Sequence, residues 1–340
     1  MKVFLRRFLT FVLSLFGRHF SRLFIKIPKI DVSAKIIVTK DRLFCKKIPE
    51  FSTLLQYDNI KPIQIIDAGH QQDVHIQYCD IKNFTNARIA LVAHFDPQRI
   101  VDPYVIYYAT HLKSRGYSLI LCSANEVILD NDTPNIFEAV LYRKNEGYDF
   151  SSWKAAFTAL PSLFEANEIL FTNDSVFGPI GDINNLFIAT KPIKCDFWGV
   201  AESLTPRPYL HSYFIVLFKN AIKHEAFRTF LSSISDSGVR LDAIHYEAVL
   251  TQWLISHNLT GAARIPASIL NKDAIEPAFY YVTELLQTGQ YPFIKRRMLF
   301  KNPFTILLKG LQPLLEQYEY PTKFILDYAK RLKLKPVIPL

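Results

Sequence analysis

The stretch Asn167-Glu-Ile-Leu-Phe-Thr-Asn-Asp-Ser-Val-Phe-Gly-Pro179 joins an apolar run to three small polar side chains. Its residues 169–172 have the apolar, β-favouring composition of a short buried strand, and the Gly-Pro pair then turns the chain. Open α/β sheets bind their ligands at the carboxyl ends of strands. The stretch therefore predicts either a ligand site at Asn173, Asp174 and Ser175 or a simple turn capped by the aspartate side chain.

Three further strands are predicted before this stretch. Residues 89–93 and 118–123 are continuous apolar runs, and residues 101–115 between them have the apolar spacing of a helix. A strand, a helix and a strand in this order form a βαβ unit, in which the two strands are parallel. Residues 139–143 predict the third strand, and a helix over residues 151–164 follows it.

Polar residues follow each of these strands. Because the carboxyl ends of parallel strands lie at one edge of a sheet, we expect their side chains to converge on one ligand site. They are His94 and Asp96 after the first strand, Asn125 after the second, Arg143, Asn145, Gly147 and Asp149 after the third, and Asn173, Asp174 and Ser175 after the fourth.

The second half of the chain mixes strand and helix signals. Residues 196–203 predict a strand and a turn, and residues 209–218 predict a strand that continues into a helix. Residues 225–234 and 245–255 predict helices, and helical turns are expected within residues 275–306. We therefore predict an α/β protein with a mostly parallel, Rossmann-like sheet flanked by helices.

Composition and motifs disfavour several classes of protein. The 340 residues are 49% hydrophobic and carry a net charge of +9, which suits an anionic partner. The four cysteines are widely spaced, which disfavours zinc and indicates reduced thiols. The absence of a G-x-G-x-x-G, a P-loop and a G-x-S-x-G motif disfavours dinucleotide-binding domains, P-loop enzymes and α/β hydrolases. The aromatic residues of the basic ends lie among Leu and Ile, so we expect no nucleic-acid partner.

Residues 1–30 predict a basic amphipathic helix. Their longest uncharged run, residues 8–17, is too short to span a bilayer, and Arg18, Arg22 and Lys26 follow it at helical spacing. We expect an interfacial helix, and hence a protein attached peripherally to the cytoplasmic face of the cell membrane. Two alternatives stay open: a signal peptide, which here lacks a small-x-small cleavage site, and a helix docked on the protein's own core.

The remaining chain divides into three regions. Residues 31–86 are predicted to be an adaptor with short strands at 34–39 and 63–66, and residues 87–290 to be the core domain. Residues 291–340 are basic and rich in Phe, Leu and Ile, and we expect basic helices there. This C-terminal region is either a solvated cationic face or a second membrane-contacting surface.

These parts fit a nucleotide-sugar transferase better than other α/β enzymes. Such an enzyme stabilises a departing nucleoside diphosphate and deprotonates an acceptor hydroxyl. The diphosphate charge can be met by a metal ion on Asp174, or by the cations Arg143 and Lys154. The candidates for the general base are Glu202, His211 and Glu247.

Seven motifs in order resemble one known family. They are ALVAHFDP (90–97), HLKSRGYSLILCSAN (111–125), RKNEGYDFSSWKAAF (143–157), EILFTNDSVFGPI (168–180), DFWGVAES (196–203), HSYFIVLF (211–218) and HYEAVLTQWL (245–254). Over this range, about half of the chain, the sequence resembles the rhamnan synthesis protein F family, glycosyltransferase-like proteins of bacterial surface polysaccharide assembly.

The resemblance implies a GT-A-like fold, a nucleoside-diphosphate sugar donor and work on lipid-linked or polysaccharide acceptors at the cytoplasmic membrane face. It places Asn173-Asp174-Ser175 at the D-x-D motif that holds a divalent cation, Mg²⁺ or Mn²⁺, and the diphosphate, although Asp174 is the only acidic residue of the three. It also implies two further roles by position: a nucleotide pocket lined by His94, Asp96 and Asn125, and Glu247 as the base.

We therefore predict an inverting glycosyltransferase that transfers a sugar, with dTDP-rhamnose as the expected donor, to a growing polysaccharide. Glu247 is predicted at the start of its helix, where the alternative to a catalytic role is a favourable interaction with the helix dipole. Asp174 is predicted to hold the diphosphate with or without a metal ion. The alternative function is a catalytically inactive membrane scaffold of the same fold.

Overall fold

The computed structural model shows a central sheet with helices on both faces. The predicted segment 1–30, the predicted strands at 34–39 and 63–66, and the candidate residues Asn145 and Gly147 lie outside the described residues. The structure describes residues 53–55, 57, 73–81, 83–130, 133–144, 148–191, 193–204, 208–235, 240–267, 277–302, 306, 308 and 310–338.

Short apolar runs form the strands. In chain order they are β1 Thr53–Leu54, β2 Val74–Cys79, β3 Arg88–His94, β4 Ser118–Ser123, β5 Ala139–Arg143, β6 Glu168–Asn173, β7 Val176–Phe177, β8 Phe197–Ser203, β9 Tyr209–Leu210, β10 Phe214–Phe218, β11 Gly261–Ile265 and β12 Ile294–Lys295. Ten of these form the main sheet, in the order β1-β11-β8-β10-β6-β3-β4-β5-β2 with β9 on β8, and β7 and β12 form a separate ribbon.

Four neighbouring strands of the main sheet, β6, β3, β4 and β5, run parallel. Their carboxyl ends therefore lie at one edge of the sheet, as the sequence predicts. The rest of the sheet is mixed, because β10 runs antiparallel to both β6 and β8, and β2 runs antiparallel to β5. The α/β class is confirmed, and antiparallel pairing is more extensive than the sequence suggested.

The helices cover both faces of this sheet. They are α1 Pro103–Ser114, α2 Thr133–Ile136, α3 Tyr148–Ala159, α4 Asn184–Thr190, α5 Lys219–Lys223, α6 Glu225–Ser233, α7 Arg240–Ser256, α8 Pro277–Tyr280, α9 Val282–Gln287, α10 Arg296–Phe300, α11 Leu311–Gln317 and α12 Lys323–Arg331, with a 3-10 turn at Pro161–Glu165.

Strand β3 lies in the middle of the core because its successive side chains enter different hydrophobic clusters. Ala90 belongs to the cluster that includes α1, whereas Leu91 belongs to the cluster that includes α3 and α7. Trp153 of α3 stacks on Phe171 with ring centroids 4.5 Å apart, and its Nε1 donates to the Leu91 carbonyl oxygen at 3.1 Å. A buried aromatic side chain of this size stabilises a fold by about 3–5 kcal/mol relative to alanine.

Most predicted elements of the core are confirmed to within one residue at each strand end, namely β3, β4, β5 and β6. Other elements differ from the prediction. Residues 209–218 form two strands separated by a turn, and the strand Val74–Cys79 was not predicted. Helix α7 begins at Arg240, so Glu247 lies in the helix interior and not at its start. The helix dipole favours glutamate only in the first turn, so it does not explain the glutamate at position 247.

The C-terminal part of the chain packs against the same core. Strand β12 pairs antiparallel with β7, directly after the polar end of β6. Tyr328 of α12 makes an edge-to-face contact with Tyr104 of α1, with ring centroids 5.5 Å apart. These contacts bring α10 and α12 to the carboxyl edge of the parallel strands. None of the helices within the described ranges has the length and apolar content needed to span a membrane.

Candidate active site

The polar end of β6 forms a hydrogen-bonded turn. Asn173 Oδ1 accepts from the amide nitrogen and the hydroxyl of Ser175, at 3.1 and 2.5 Å. Asp174 Oδ2 accepts from the Phe95 amide at 3.2 Å, which joins the end of β6 to the end of β3. A turn is therefore present, as expected, but the side chain that caps it is Asn173 and not the predicted Asp174. The side chain of Asp174 remains 11% exposed.

The other oxygen of Asp174 binds an arginine from α10. Arg296 Nη2 donates to Asp174 Oδ1 at 3.0 Å, and Arg296 Nη1 donates to the hydroxyls of Tyr104 and Tyr328 at 2.7 and 3.0 Å. The Arg296 amide also donates to the Ser175 carbonyl oxygen at 2.8 Å. Burial alone would lower the pKa of Arg296, but Asp174 and the two tyrosines raise it above its ordinary value. A permanent positive charge is thus placed beside the turn.

A second cation, Lys295, lies beside Glu247 and His211. His211 Nδ1 lies 3.4 Å from Lys295 Nζ and 3.6 Å from Glu247 Oε1. Glu247 Oε1 also accepts a hydrogen bond from the Ser212 amide at 2.7 Å. Burial alone would raise the pKa of Glu247, but its contact with His211 and the charge of Lys295 lower it to about 2. Glu247 is therefore ionised at neutral pH, where it is a weak proton acceptor.

Asp149, in the first turn of α3, has the opposite electrostatic environment. Its Oδ2 accepts from Asn173 Nδ2 at 2.6 Å. Burial and the charge of Asp174 raise the pKa of Asp149 to about 6. Glu247 raises this pKa further, whereas Asn173 and Arg143 oppose the shift. Two carboxyl groups with pKa values of about 2 and about 6 therefore lie within electrostatic range of each other, a pattern that separates the roles of two acids in an active site.

His94 and Asn125 join the ends of β3 and β4. His94 is 3% exposed, and its ring nitrogens lie 3.2 Å from Ser123 Oγ and 3.2 Å from the Ile100 carbonyl oxygen. Burial lowers the pKa of His94, so its imidazole is neutral at neutral pH. Asn125 Nδ2 donates to the Asp96 carbonyl oxygen at 2.7 Å. Both side chains shape the strand ends, and their contact with a nucleotide stays a prediction.

Asp96 is bound by an arginine of α12. Arg331 donates to both carboxylate oxygens of Asp96, at 3.0 and 2.6 Å, and to both oxygens of Asp102, at 3.2 and 2.5 Å. Burial alone would raise the pKa of Asp96, but Arg331 and two backbone amides lower it. Burial outweighs Arg331 at Asp102, whose pKa is raised. The C-terminal helix is thus tied to the loop that follows β3.

Arg143, at the end of β5, supports the start of α3. It is buried, and it donates to the Tyr148 carbonyl oxygen at 2.5 Å and to Ser152 Oγ at 3.0 Å. Tyr148 has a left-handed backbone conformation, with φ of 56°. Arg143 therefore positions the turn that presents Asp149, and a direct contact with a ligand stays a prediction.

Two other predicted site residues, the candidate cation Lys154 and the candidate base Glu202, make their hydrogen bonds away from the Asn-Asp-Ser turn. Lys154 Nζ donates to the Ile234 carbonyl oxygen at 2.6 Å, at the end of α6. Glu202 is buried at the end of β8, where it accepts from the Ala267 amide at 2.9 Å, and burial raises its pKa. The cation in contact with Asp174 is Arg296, and not the predicted Lys154.

The family comparison covers most of these elements. Residues 121–337 of the 340 match the family described as Rhamnan synthesis protein F. The chain belongs to this family. The resemblance seen in the sequence is confirmed, and the match continues through α12. The family's description indicates a role in polysaccharide biosynthesis.

Two groups of curated relatives match this rhamnan synthesis protein F family member over part of their length. The virulence protein VirA of Vibrio anguillarum is 24% identical over 197 residues, which cover 56% of this chain and 60% of VirA. The uncharacterized protein y4gN of Sinorhizobium fredii is 26% identical over 157 residues, which cover 44% of this chain and 40% of y4gN. The match therefore spans less than two thirds of the length of either relative.

The divalent cation implied by the family resemblance does not fit the described residues. A cation site needs several oxygen atoms that are free to bind the metal ion. Both carboxylate oxygens of Asp174 already accept hydrogen bonds, one from Arg296 and the other from the Phe95 amide. Asn173 Oδ1 is bound to Ser175. Among the residues that the structure describes, no three His, Cys, Asp or Glu side chains are placed to hold a metal ion. The Asn-Asp-Ser turn of this family member is therefore organised around a guanidinium.

Three cations and two tyrosines of this site were not predicted from the sequence. A weak signal was present, because Lys295-Arg296-Arg297 directly follows the apolar run Tyr291-Pro-Phe-Ile294. Basic residues at the end of a buried strand are as informative as acidic ones, but we interpreted them as part of a basic tail. The missed residues are Lys295, Arg296, Arg331, Tyr104 and Tyr328.

Proposed function

We propose that this protein is a glycosyltransferase of bacterial polysaccharide biosynthesis that uses a nucleoside-diphosphate sugar. The observation that carries the proposal is the meeting of Lys295 and Arg296 with Asp149, Asp174 and Glu247 at the carboxyl edge of the parallel strands. Cations suit the charge of a leaving diphosphate, and a carboxylate of intermediate pKa suits the removal of a proton from an acceptor hydroxyl. Membership of the family supports the same reaction class.

The proposed reaction is a single displacement with inversion. The acceptor oxygen forms a bond to the anomeric carbon of the donor as the bond to the diphosphate oxygen breaks, and the diphosphate leaves with the electron pair. A carboxylate takes the hydroxyl proton. Asp149, with a pKa of about 6, matches this task better than Glu247, with a pKa of about 2. In this scheme Glu247 holds His211 and Lys295 in place.

The proposed donor is dTDP-rhamnose, and the proposed acceptor is a lipid-linked or growing polysaccharide at the cytoplasmic face of the membrane. Support for the sugar comes from the family description, which names rhamnan synthesis. Support for the membrane location comes from the amphipathic pattern of residues 1–30, which lie outside the described residues.

The test is to incubate the full-length chain with a panel of nucleotide sugars and to measure release of the nucleoside diphosphate. We expect release from dTDP-rhamnose, and faster release when a membrane fraction supplies an acceptor. Release from another nucleotide sugar alone would correct the donor but keep the function. No release from any donor, with or without the membrane fraction, would contradict the proposal.

A second candidate function is a catalytically inactive scaffold in a polysaccharide assembly complex. The observation that favours it is that the side-chain oxygens of Asn173 and Asp174 accept hydrogen bonds from within the protein. Calorimetric titration with dTDP and UDP separates the two functions. A scaffold should bind neither nucleotide, whereas the enzyme should bind at least one.

A further inference from the structure

In the polar turn after β6, the side-chain oxygens of Asn173 and Asp174 already accept hydrogen bonds from protein groups. Asn173 Oδ1 accepts from the amide and the hydroxyl of Ser175, Asp174 Oδ1 accepts from Arg296, and Asp174 Oδ2 accepts from the Phe95 amide. A divalent ion would have to displace a charged hydrogen bond of 3.0 Å and break the link between β6 and β3. Charge-assisted hydrogen bonds of this kind are among the stronger contacts in proteins.

The guanidinium of Arg296 lies next to the aspartate where a metal ion would be expected. Its position is set from three sides: Tyr104 and Tyr328 accept from Nη1, Asp174 accepts from Nη2, and the Arg296 amide donates to the Ser175 carbonyl oxygen. The β7–β12 ribbon fixes the backbone on either side, with Lys295 opposite Val176. The charge is therefore held by side chains and backbone together.

Arg296 keeps donors for a ligand. A guanidinium has five N–H groups, and the contacts with Asp174, Tyr104 and Tyr328 use three of them. The side chain is 20% exposed, so it is not closed off from solvent. The preceding residue, Lys295, adds an ammonium group that lies over the rings of Tyr213 and Phe279, at 4.7 and 5.0 Å.

We propose that Arg296 and Lys295 take the place of the divalent cation and bind the diphosphate of the donor and of the leaving nucleotide. The ligand class is a nucleoside diphosphate, and its binding is independent of divalent metal. This inference rests on the proposed function, because it assumes that a nucleotide sugar is the substrate. Asp174 is then a positioning residue that orients Arg296, and no metal ion is needed to spread the charge of the diphosphate.

The first experiment is calorimetric titration of the full-length chain with dTDP and with UDP, in excess EDTA and again with Mn²⁺. We expect one nucleotide to bind with the same Kd, within about twofold, in both buffers. Binding that appears, or tightens by more than about tenfold, when Mn²⁺ is present would overturn the inference and leave the proposed function intact. No binding of either nucleotide in either buffer would contradict the proposed function itself, and the inference with it.

The second experiment is a set of variants titrated with the same nucleotide in EDTA. Arg296→Ala and Lys295→Met are expected to weaken binding by roughly tenfold or more each, since each removes a charged partner of the phosphates. Arg228→Ala is the matched control, because Arg228 also lies over an aromatic ring, that of Phe164 at 3.8 Å, on an exposed helix surface. It should leave the Kd unchanged.

Arg296→Lys tests the site if Arg296→Ala fails to fold, as judged by circular dichroism. It keeps the charge but lacks the planar fork that contacts Asp174 and the tyrosines together, so we expect intermediate affinity. Affinity equal to that of the unmodified chain in both Lys295→Met and Arg296→Lys would overturn the inference.

Discussion

The two edges of the parallel strands carry ion pairs of different construction. At the amino edge, Arg88 of β3 binds Glu168 of β6 at 2.9 and 3.2 Å, and Tyr117 donates to the same carboxylate. At the carboxyl edge, Asp174, which directly follows β6, binds Arg296, 122 residues further along the chain. The first pair joins residues opposite each other on adjacent strands, whereas the second joins the sheet to the C-terminal region.

This difference separates a structural edge from a candidate active site. Strand register places Arg88 and Glu168 opposite each other, and the neighbouring Tyr117 adds a hydrogen bond to the pair. The carboxyl edge depends on β12, α10 and α12 for its cations. It also holds carboxyl groups with pKa values moved in opposite directions, to about 6 at Asp149 and about 2 at Glu247. Perturbed pKa values that arise from burial and specific charges are typical of functional sites.

The largest expected effect is on sugar transfer, when the carboxylate charge is removed at the carboxyl edge and, for comparison, at the amino edge. Asp174→Asn should lower sugar transfer by roughly 100-fold or more, because Arg296 loses the partner that orients it. Glu168→Gln makes the same chemical change at the amino edge and should leave transfer within about twofold while lowering stability. Nucleoside diphosphate release and thermal unfolding measure the two outcomes. Equal losses of transfer in both variants would remove the distinction between the edges.

The next prediction separates the two carboxyl groups of the carboxyl edge. Asp149→Asn should lower kcat by about 100-fold, because the proton acceptor is lost. In the unmodified chain the rate should rise with pH through about 6, as Asp149 ionises, and Glu247→Gln should keep this rise. The pH profile of transfer checks both statements. A rise that persists in Asp149→Asn but is lost in Glu247→Gln would assign the base to Glu247, as the family resemblance implies.

A smaller effect is expected on stability at the contact between α12 and β3. Arg331→Ala should lower the free energy of unfolding by about 3 kcal/mol, because it leaves Asp96 and Asp102 buried without their cation. Arg99→Ala is the matched control, since both side chains of its ion pair with Glu126 are about half exposed. It should cost less than about 1 kcal/mol. Urea titrations measure both. Similar losses would show that α12 is held by its apolar face alone.

The last prediction concerns how the free energy of unfolding changes with pH. The folded state raises the pKa of Asp149 from 3.8 to about 6, so it binds this proton more tightly than the unfolded chain does. Asp149 therefore lowers stability as pH rises from about 4 to about 6, because burial, Asp174 and Glu247 disfavour its charge. Asp149→Asn should add up to roughly 3 kcal/mol above pH 6 and little below pH 4. Urea titrations at pH 4 and pH 8 test this; an equal gain at both would contradict it.

Much of the fold follows from local sequence. The strands β3 to β6 are five to seven residues long and end in polar residues. Their length, their burial and their parallel direction follow from the apolar pattern. The position of Asn173-Asp174-Ser175 at a strand end follows for the same reason. The start of α7 did not follow, because Glu247 was assigned from a pattern that begins at His245 and the first turn of the helix was missed.

Sequence by itself thus determined the α/β class, the strand ends that carry polar side chains and the family of the chain. Only the tertiary structure decided which cations contact these strand ends, and which carboxyl groups have a lowered or a raised pKa. The physical reason is distance along the chain. Asp174 and Arg296 are 122 residues apart, and Asp96 and Arg331 are 235 residues apart. Local periodicity holds no information about such pairs, which form only when β12 and α12 pack against the sheet.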